Sequence, residues 1–292
     1  MPTHPFYILD VFAEEKYAGN QLAVFRDAGD LPAETMQKIA GDMHFSETTF
    51  ILSDEPRNGG YDVRIFTPEE EIPFAGHPTI GTAAAILGEI LGGQQSSVVL
   101  NLGVGQIPVT AGQDGVLWMR QQAPAFGRTF APGEIAEAAG VRAADIDGRF
   151  PAQEVSTGLP SVIVPLKSGG ALRNARRSQD SLDRLEERYG AKTLLLFSAE
   201  PRDGRNDLSA RVFTVYGSVP EDPATGSANG CLAGYLVKHS YFGAGAIDVR
   251  VEQGYEIGRP SLLRLRAACG PGGIEVSVGG KAIMVAKGHL LE

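Results

Sequence analysis

Three polar side chains stand out by type and by their neighbours: Glu47 in Ser46-Glu47-Thr48, His77 in Gly76-His77-Pro78, and Asp222 in Glu221-Asp222-Pro223. A carboxylate facing an apolar cleft is desolvated, which raises its pKa and suits it to taking and returning a proton near neutral pH. Glu47 opens a strand-like run of Thr, Phe and Ile, so it reads either as such an acid or as an exposed turn residue beside Ser46. His77 titrates in the physiological range and is either a proton partner or an ordinary capped histidine. Asp222, just before Pro223, is either a reacting carboxylate or the initiator of a turn. His77 and Asp222 are the polar side chains nearest two Gly-rich turns, and with Glu47 they bring together an acid, an imidazole and a carboxylate.

Those turns occur twice. Pro73 to Ala83 reads PFAGHPTIGTA and Val219 to Ala228 reads VPEDPATGSA. Before them stand the strands VRIFT (Val63 to Thr67) and ARVFT (Ala210 to Thr214), and after them the helical runs AAAIL and ANGCLAGYL. Arg64, Phe66 and Thr67 align with Arg211, Phe213 and Thr214; with two residues lost, Gly81, Thr82 and Ala83 align with Gly226, Ser227 and Ala228. A strand–turn–helix unit used twice is the expectation. Each turn feeds a helix N-terminus, where about four N–H groups lack intrahelical partners and the dipole attracts an anion. Glycines such as Gly226 allow close backbone approach, and Ser227 and Thr82 add hydroxyl donors. Two such turns facing one another would hold a small carboxylate-bearing molecule.

At 292 residues, 43% hydrophobic and 21% charged, the chain has the composition of a soluble globular protein of two domains or one large one. A net charge of −9 and the absence of a strong Lys/Arg cluster argue against a nucleic-acid partner. Arg173, Arg176 and Arg177 are followed by Asp180 and Asp183 and read as a solvated face. Cys231 and Cys269 form neither a metal spacing nor a disulfide framework and fit a reducing compartment. No signal peptide is visible, and the apolar runs fall far short of the roughly 20 residues that span a bilayer. The expectation is a cytoplasmic protein without a membrane partner.

Along the chain, Phe6 to Phe12, Gln21 to Phe25, Thr48 to Leu52 and Tyr61 to Thr67 read as strands, with a helix over Pro32 to Asp42. Short strands at Val98 to Leu102, Gln106 to Thr110 and Val116 to Arg120 suggest an antiparallel, barrel-like sheet around a helix. Gln121 to Gly133, with two prolines and two glycines, reads as a linker. Beyond it, Ser161 to Leu166, Thr193 to Ser198 and Leu208 to Tyr216 read as strands, and Glu134 to Ala139 and Ser181 to Tyr189 as helices. Thr225 to Lys238 is the second helix of the repeat. Its Gly226, Gly230 and Gly234 share one face, and at about 1 kcal/mol each in a helix interior they imply tight packing. Ile247 to Val251, Leu262 to Leu265, Ile274 to Val278 and Ala282 to Ala286 close the fold. Competing chemistries lack their motifs. Gly103 to Pro108 opens no helix, no Walker or HExxH pattern occurs, and His44, His239 and His289 have no ligand at metal spacing. Cys231 falls inside a helix and Cys269 in a Gly-rich turn, so neither begins a helix.

With these residues in view, the chain resembles the PhzF-like family, phenazine-biosynthesis isomerases related in fold to diaminopimelate epimerase. The resemblance rests on VFAEEKYAGNQLAVF, SETTF, RIFTPEEEIPFAGHPT and EDPATGSA. It implies an α+β fold of two pseudo-symmetric lobes, each a β-barrel-like sheet around a central helix, with the active site in the cleft between them. The lobes would be residues 1–120, joined by 282–292, and residues 121–281. It also implies that Glu47 is the proton-shuttling acid, that His77 and Asp222 support it, and that Gly76 and Ser227 bind substrate. No cofactor or metal is implied, and a homodimer is. Epimerases of this fold use paired cysteines at the two helix N-termini; here Ala75 stands at one and Pro223 and Ala224 at the other, which disfavours a thiol mechanism. The leading expectation is a cofactor-independent isomerase moving a proton on a small carboxylate-bearing substrate. An epimerase or racemase using Glu47 and a non-catalytic binding protein are the alternatives.

Overall fold

A computed structural model describes residues 4–215 and 219–291. The chain forms two compact units, residues 1–120 with 279–292, and residues 121–278. The first contains strands β1 (His4–Val11), β2 (Asn20–Phe25), β3 (Glu47–Ile51), β4 (Tyr61–Phe66), β5 (Glu71–Ile72), β6 (Ser97–Leu102), β7 (Gly105–Ala111) and β8 (Leu117–Arg120). Helix α1 (Ala33–Met43) lies between β2 and β3, and α2 (Gly76–Ala85) between β5 and β6. Helix α2 is built of small and apolar residues on all sides and is buried along nearly its whole length, as a helix with no polar face must be. It packs against β1, β2, β3, β6, β7 and β8. On the outer face of the sheet, Met36 and Ala40 of α1 close over Phe25, Phe50 and Phe66. The Phe25 and Phe50 rings stack at 5.1 Å, a spacing favourable to offset aromatic pairs.

The second unit contains β9 (Ala125–Phe130), β10 (Ala152–Ser156), β11 (Pro160–Pro165), β12 (Thr193–Ser198), β13 (Leu208–Thr214), β14 (Glu221–Asp222), β15 (Ala246–Gln253), β16 (Ser261–Gly270) and β17 (Gly273–Gly280, which ends just past the unit boundary). Its helices are α3 (Pro132–Ala139), α4 (Gly169–Asn174), α5 (Gln179–Tyr189) and the central α6 (Gly226–Lys238). The last strand of the chain, β18 (Ala282–Leu290), belongs to the first unit and pairs antiparallel with β1 from His4↔Leu290 to Val11↔Ala282. Tyr216, the expected end of β13, lies outside the described residues.

The duplication is wider than a single strand, turn and helix. In the first unit β2 pairs parallel with β3, β3 antiparallel with β4, β4 antiparallel with β5, and β4 parallel with β6. In the second unit β11, β12, β13, β14 and β15 repeat that series in the same senses. The parallel pairs correct the expectation of a purely antiparallel sheet. A strand returning in the same sense needs a crossover, and α1, α2, α4–α5 and α6 supply the crossovers.

Pairing also corrects the register of the repeat. Phe66 faces Glu71 and Ile65 faces Ile72, as Phe213 faces Glu221 and Val212 faces Asp222. Gly76 and Gly226 then both open their helices. Gly226 therefore corresponds to Gly76 and Ser227 to His77, with three residues gained in the second turn instead of two lost. The same frame matches Arg64–Glu71, a two-pronged ion pair at 2.7 and 2.6 Å, with Arg211–Glu221 at 2.8 and 2.7 Å.

Two smaller expectations also change. Gln121 to Gly133 is no linker, since it holds β9 and the start of α3. Its first residues fill the glycine face of α6: a Cβ at Gly234 would lie 2.8 Å from Pro124 Cβ, and one at Gly230 3.1 Å from Gln121 Cγ. Cys269 sits near the end of β16 and not in a turn.

Candidate functional site

In the first unit the site is built where β2, β3 and α2 begin. Glu47 is the first residue of β3, beside Leu22 of β2, and its side chain is 17% exposed. Helix α2 starts at Gly76 after an extended Ala75, which places His77 one residue inside the helix with its side chain 4% exposed. The two meet: His77 Nε2 lies 3.4 Å from Glu47 Oε2. On the other side of the ring Asn20, at the head of β2, places its side-chain Nδ2 3.2 Å from His77 Nδ1. The Gln21 backbone also hydrogen-bonds the ring, so Asn20 and Gln21 hold His77 from the side away from Glu47. Burial pushes the His77 pKa down to about 3, with the Gln21 backbone opposing by less. The positive end of α2 disfavours a charged ring in the same direction. At neutral pH His77 is uncharged.

The first turn of α2 directs the Gly76 and His77 N–H groups away from any preceding helical carbonyl, while Pro78 has no N–H to offer. Thr79 closes the turn on itself, its Oγ1 donating to Ala75 O at 2.7 Å. Thr82, expected at the turn, is instead two helical turns inside α2, fully buried, with its hydroxyl 2.8 Å from Thr49 Oγ1. Its displacement follows from the repeat register: the turn ends at Gly76 and not at Gly81.

In the second unit Asp222 is buried in the two-residue strand β14, and Ser227 is the second residue of α6. Thr225, immediately before the helix, donates its hydroxyl to Asp222 Oδ2 at 2.5 Å. Gln253, at the end of β15, donates through Nε2 to Asp222 O at 2.8 Å and to Thr225 Oγ1 at 3.2 Å. Its Oε1 accepts from Asn229 Nδ2 at 2.8 Å and from the Thr225 N–H at 3.4 Å.

The structure places Glu47, His77 and Gly76 in the first unit and Asp222, Gly226 and Ser227 in the second. The sequence reading missed Asn20, Thr225, Asn229 and Gln253. For Gln253 there was a signal: Ile247, Val249, Val251 and Gln253 alternate along one face of β15, so a polar residue occupies a core-facing register.

The fold is α+β, with one strand–turn–helix unit used twice, and the relatives that share it over nearly the whole chain are isomerases. The phenazine biosynthesis-like protein profile matches residues 9–288, and the chain belongs to that family. Trans-2,3-dihydro-3-hydroxyanthranilate isomerase of Pseudomonas aeruginosa is 35% identical over 98% of this chain and 100% of its own length. The enzyme of that name from Pseudomonas fluorescens is 36% identical over 90% of each chain. Among solved structures, a Bacillus anthracis phenazine biosynthesis protein of the PhzF family covers both chains fully with a TM-score of 0.89 at 27% identity. A hydroxyproline epimerase from Agrobacterium vitis shares the fold alone, covering 99% of this chain and 91% of its own with a TM-score of 0.68 at 11% identity.

Proposed function

We propose that the protein isomerises a small carboxylate-bearing substrate by moving a proton between two of its carbons, with Glu47 as the acid/base. The observation that carries this reading is Glu47 beside a neutral, oriented His77 at the start of a buried helix. The Glu47 carboxylate takes a proton from a C–H bond, the electron pair passes into the conjugated system of the substrate, and the resulting acid returns the proton to a second carbon. Nothing is oxidised or reduced, so the step balances without a co-reactant. A neutral His77, its Nε2 3.4 Å from Glu47 Oε2, lets Glu47 change protonation state, since no opposing charge fixes the proton. The Gly76 N–H and the Ser227 hydroxyl are suited to a substrate carboxylate, and Asp222 is a second participant.

The duplicated scaffold favours proton shift over two-base epimerisation. Glu47 faces Leu22 as Thr193 faces Ser161, so Thr193 occupies the position equivalent to Glu47. Its hydroxyl is 2.6 Å from Ser161 Oγ. The scaffold therefore offers one acid at this register and not two. The first substrate to test is the 2,3-dihydro-3-hydroxyanthranilate for which the relatives are named. Turnover of it, with loss of about 10²-fold or more in Glu47→Gln, is the expected outcome. Near-normal turnover by Glu47→Gln of any substrate isomerised by the unaltered chain would refute the role of Glu47.

A further inference from the structure

We infer that Gln253 is a positioning residue, which aims the Asp222 carboxylate through Thr225; the inference rests on the reading that Asp222 takes part in the reaction. Hydrogen-bond direction fixes the chain of command. Gln253 Oε1 accepts from Asn229 Nδ2 and from the Thr225 N–H, so the amide has one orientation, with Nε2 toward Asp222 O and Thr225 Oγ1. Because Thr225 Oγ1 receives that N–H, its own proton is directed to Asp222 Oδ2, 2.5 Å away. A carboxylate held by a directed O–H is fixed in rotamer. Gln253 itself is 1% exposed and Asn229 fully buried, while Thr225 is half-buried, so the Gln253–Asn229 end of the network is shielded from competing water.

The first unit shows what the same backbone does without this task. There Ile72 stands where Asp222 does, Ala75 for Thr225, and Thr79 for Asn229, by the register of the central helices and short strands. The parallel pairs Asp62↔Asn101 and Ser209↔Glu252 place Leu102 opposite Gln253 in the repeat. The residues that follow, Gly103 and Gly254, both press against the matching proline: an added Cβ would lie 2.9 Å from Pro73 Cα and 2.6 Å from Pro223 O. The turn is therefore held by the glycine–proline contact in both units. The polar tetrad Asp222, Thr225, Asn229 and Gln253 is an addition to a scaffold that stands with Ile72, Ala75, Thr79 and Leu102.

The test uses the full chain with Gln253→Leu, Thr225→Val, Thr225→Ser and the double variant Gln253→Leu/Thr225→Val. Amide hydrogen exchange at Thr225 is read first, and it needs no substrate. Gln253→Leu is expected to speed it about tenfold or more while core strands stay protected; unchanged exchange at Thr225 overturns the inference. With 2,3-dihydro-3-hydroxyanthranilate as the probe, Gln253→Leu and Thr225→Val should each lower kcat by about tenfold with KM little changed. The double variant should fall no further than the worse single one, since both cut one chain, and Thr225→Ser should restore the rate. Additive losses, or a Ser no better than Val, overturn the inference. Asp222→Asn separates the two levels: full turnover there refutes the role of Asp222, whereas the exchange result judges Gln253 by itself. Should Gln253→Leu fail to fold, the threefold variant Thr225→Ala, Asn229→Thr, Gln253→Leu, which keeps Asp222, decides. A folded product with kcat lowered about tenfold supports positioning, whereas full turnover, or a chain that does not fold, overturns it.

Discussion

Burying His77 as a neutral ring has a cost that varies with pH and can be measured without a substrate. An unfolded histidine has a pKa of about 6.5, and in the folded chain it is about 3. Between those values the unfolded state binds a proton that the folded state refuses, so stability falls as the pH falls and is fully present above about pH 6.5. The slope is about 1.4 kcal/mol per pH unit inside the window. Going from pH 7.5 to pH 5.0 crosses roughly 1.5 units below the unfolded pKa, so His77 alone should remove about 2 kcal/mol. The perturbation is His77→Gln, which keeps a polar side chain but cannot titrate. Urea unfolding of both proteins at the two pH values gives four free energies, and their double difference cancels the other histidines. The expected double difference is about 2 kcal/mol, with the unaltered chain losing more on acidification. A double difference near zero would mean that His77 protonates freely in the folded protein, and the account of it as a neutral ring beside Glu47 would be wrong.

The matched ion pairs should respond unequally to the same change. Arg211 is 7% exposed in its side chain and also donates to Leu172 O and Ala175 O, whereas Arg64 is 28% exposed. Arg211→Met should therefore cost about 3–5 kcal/mol and Arg64→Met about 1 kcal/mol or less in chemical denaturation; equal losses would contradict the burial argument. Gly234→Ala places a methyl within 2.8 Å of Pro124 Cβ, and the overpacked helix should lose about 1–3 kcal/mol, a gain in thermal midpoint being the opposing result.

The strands were legible where an apolar run or a period of two was local, as in Thr193–Ser198 and Ala246–Gln253. The phase of the repeat was not. Both central helices are made of small residues, and Gly76 and Gly81 offer two equally good starts when only composition is compared. The start is settled by Glu71 opposite Phe66 and Glu221 opposite Phe213, partners set by sheet pairing and so invisible to a linear reading. Thr82 was assigned to the turn for that reason alone. Glu47, His77 and Asp222 were singled out because carboxylates and imidazoles announce their chemistry. Asn20, Thr225, Asn229 and Gln253 work through neutral hydrogen bonds whose meaning depends on the neighbour. Strand β9 escaped because Pro124 and Gly127 look like punctuation, while their purpose is close contact: Pro124 with α6, and Gly127 with Glu154, whose Oε1 would lie 2.8 Å from an added Cβ.

The pairing of β1 with β18 governs the order in which the molecule can be finished during translation. Tyr7 waits for Lys287, and Leu9 for Met284. At about 5–20 residues per second, roughly 15 to 60 s separate the emergence of these partners from the ribosome. Throughout that interval one edge of β1 is unpaired, its N–H and C=O groups open to any neighbouring strand. The second unit has its strands β9 to β16 in hand before the first can close. The N-terminal half of the polypeptide is therefore the last part to be completed, and its early exposure is where a chaperone or a misfolding partner would have the longest opportunity.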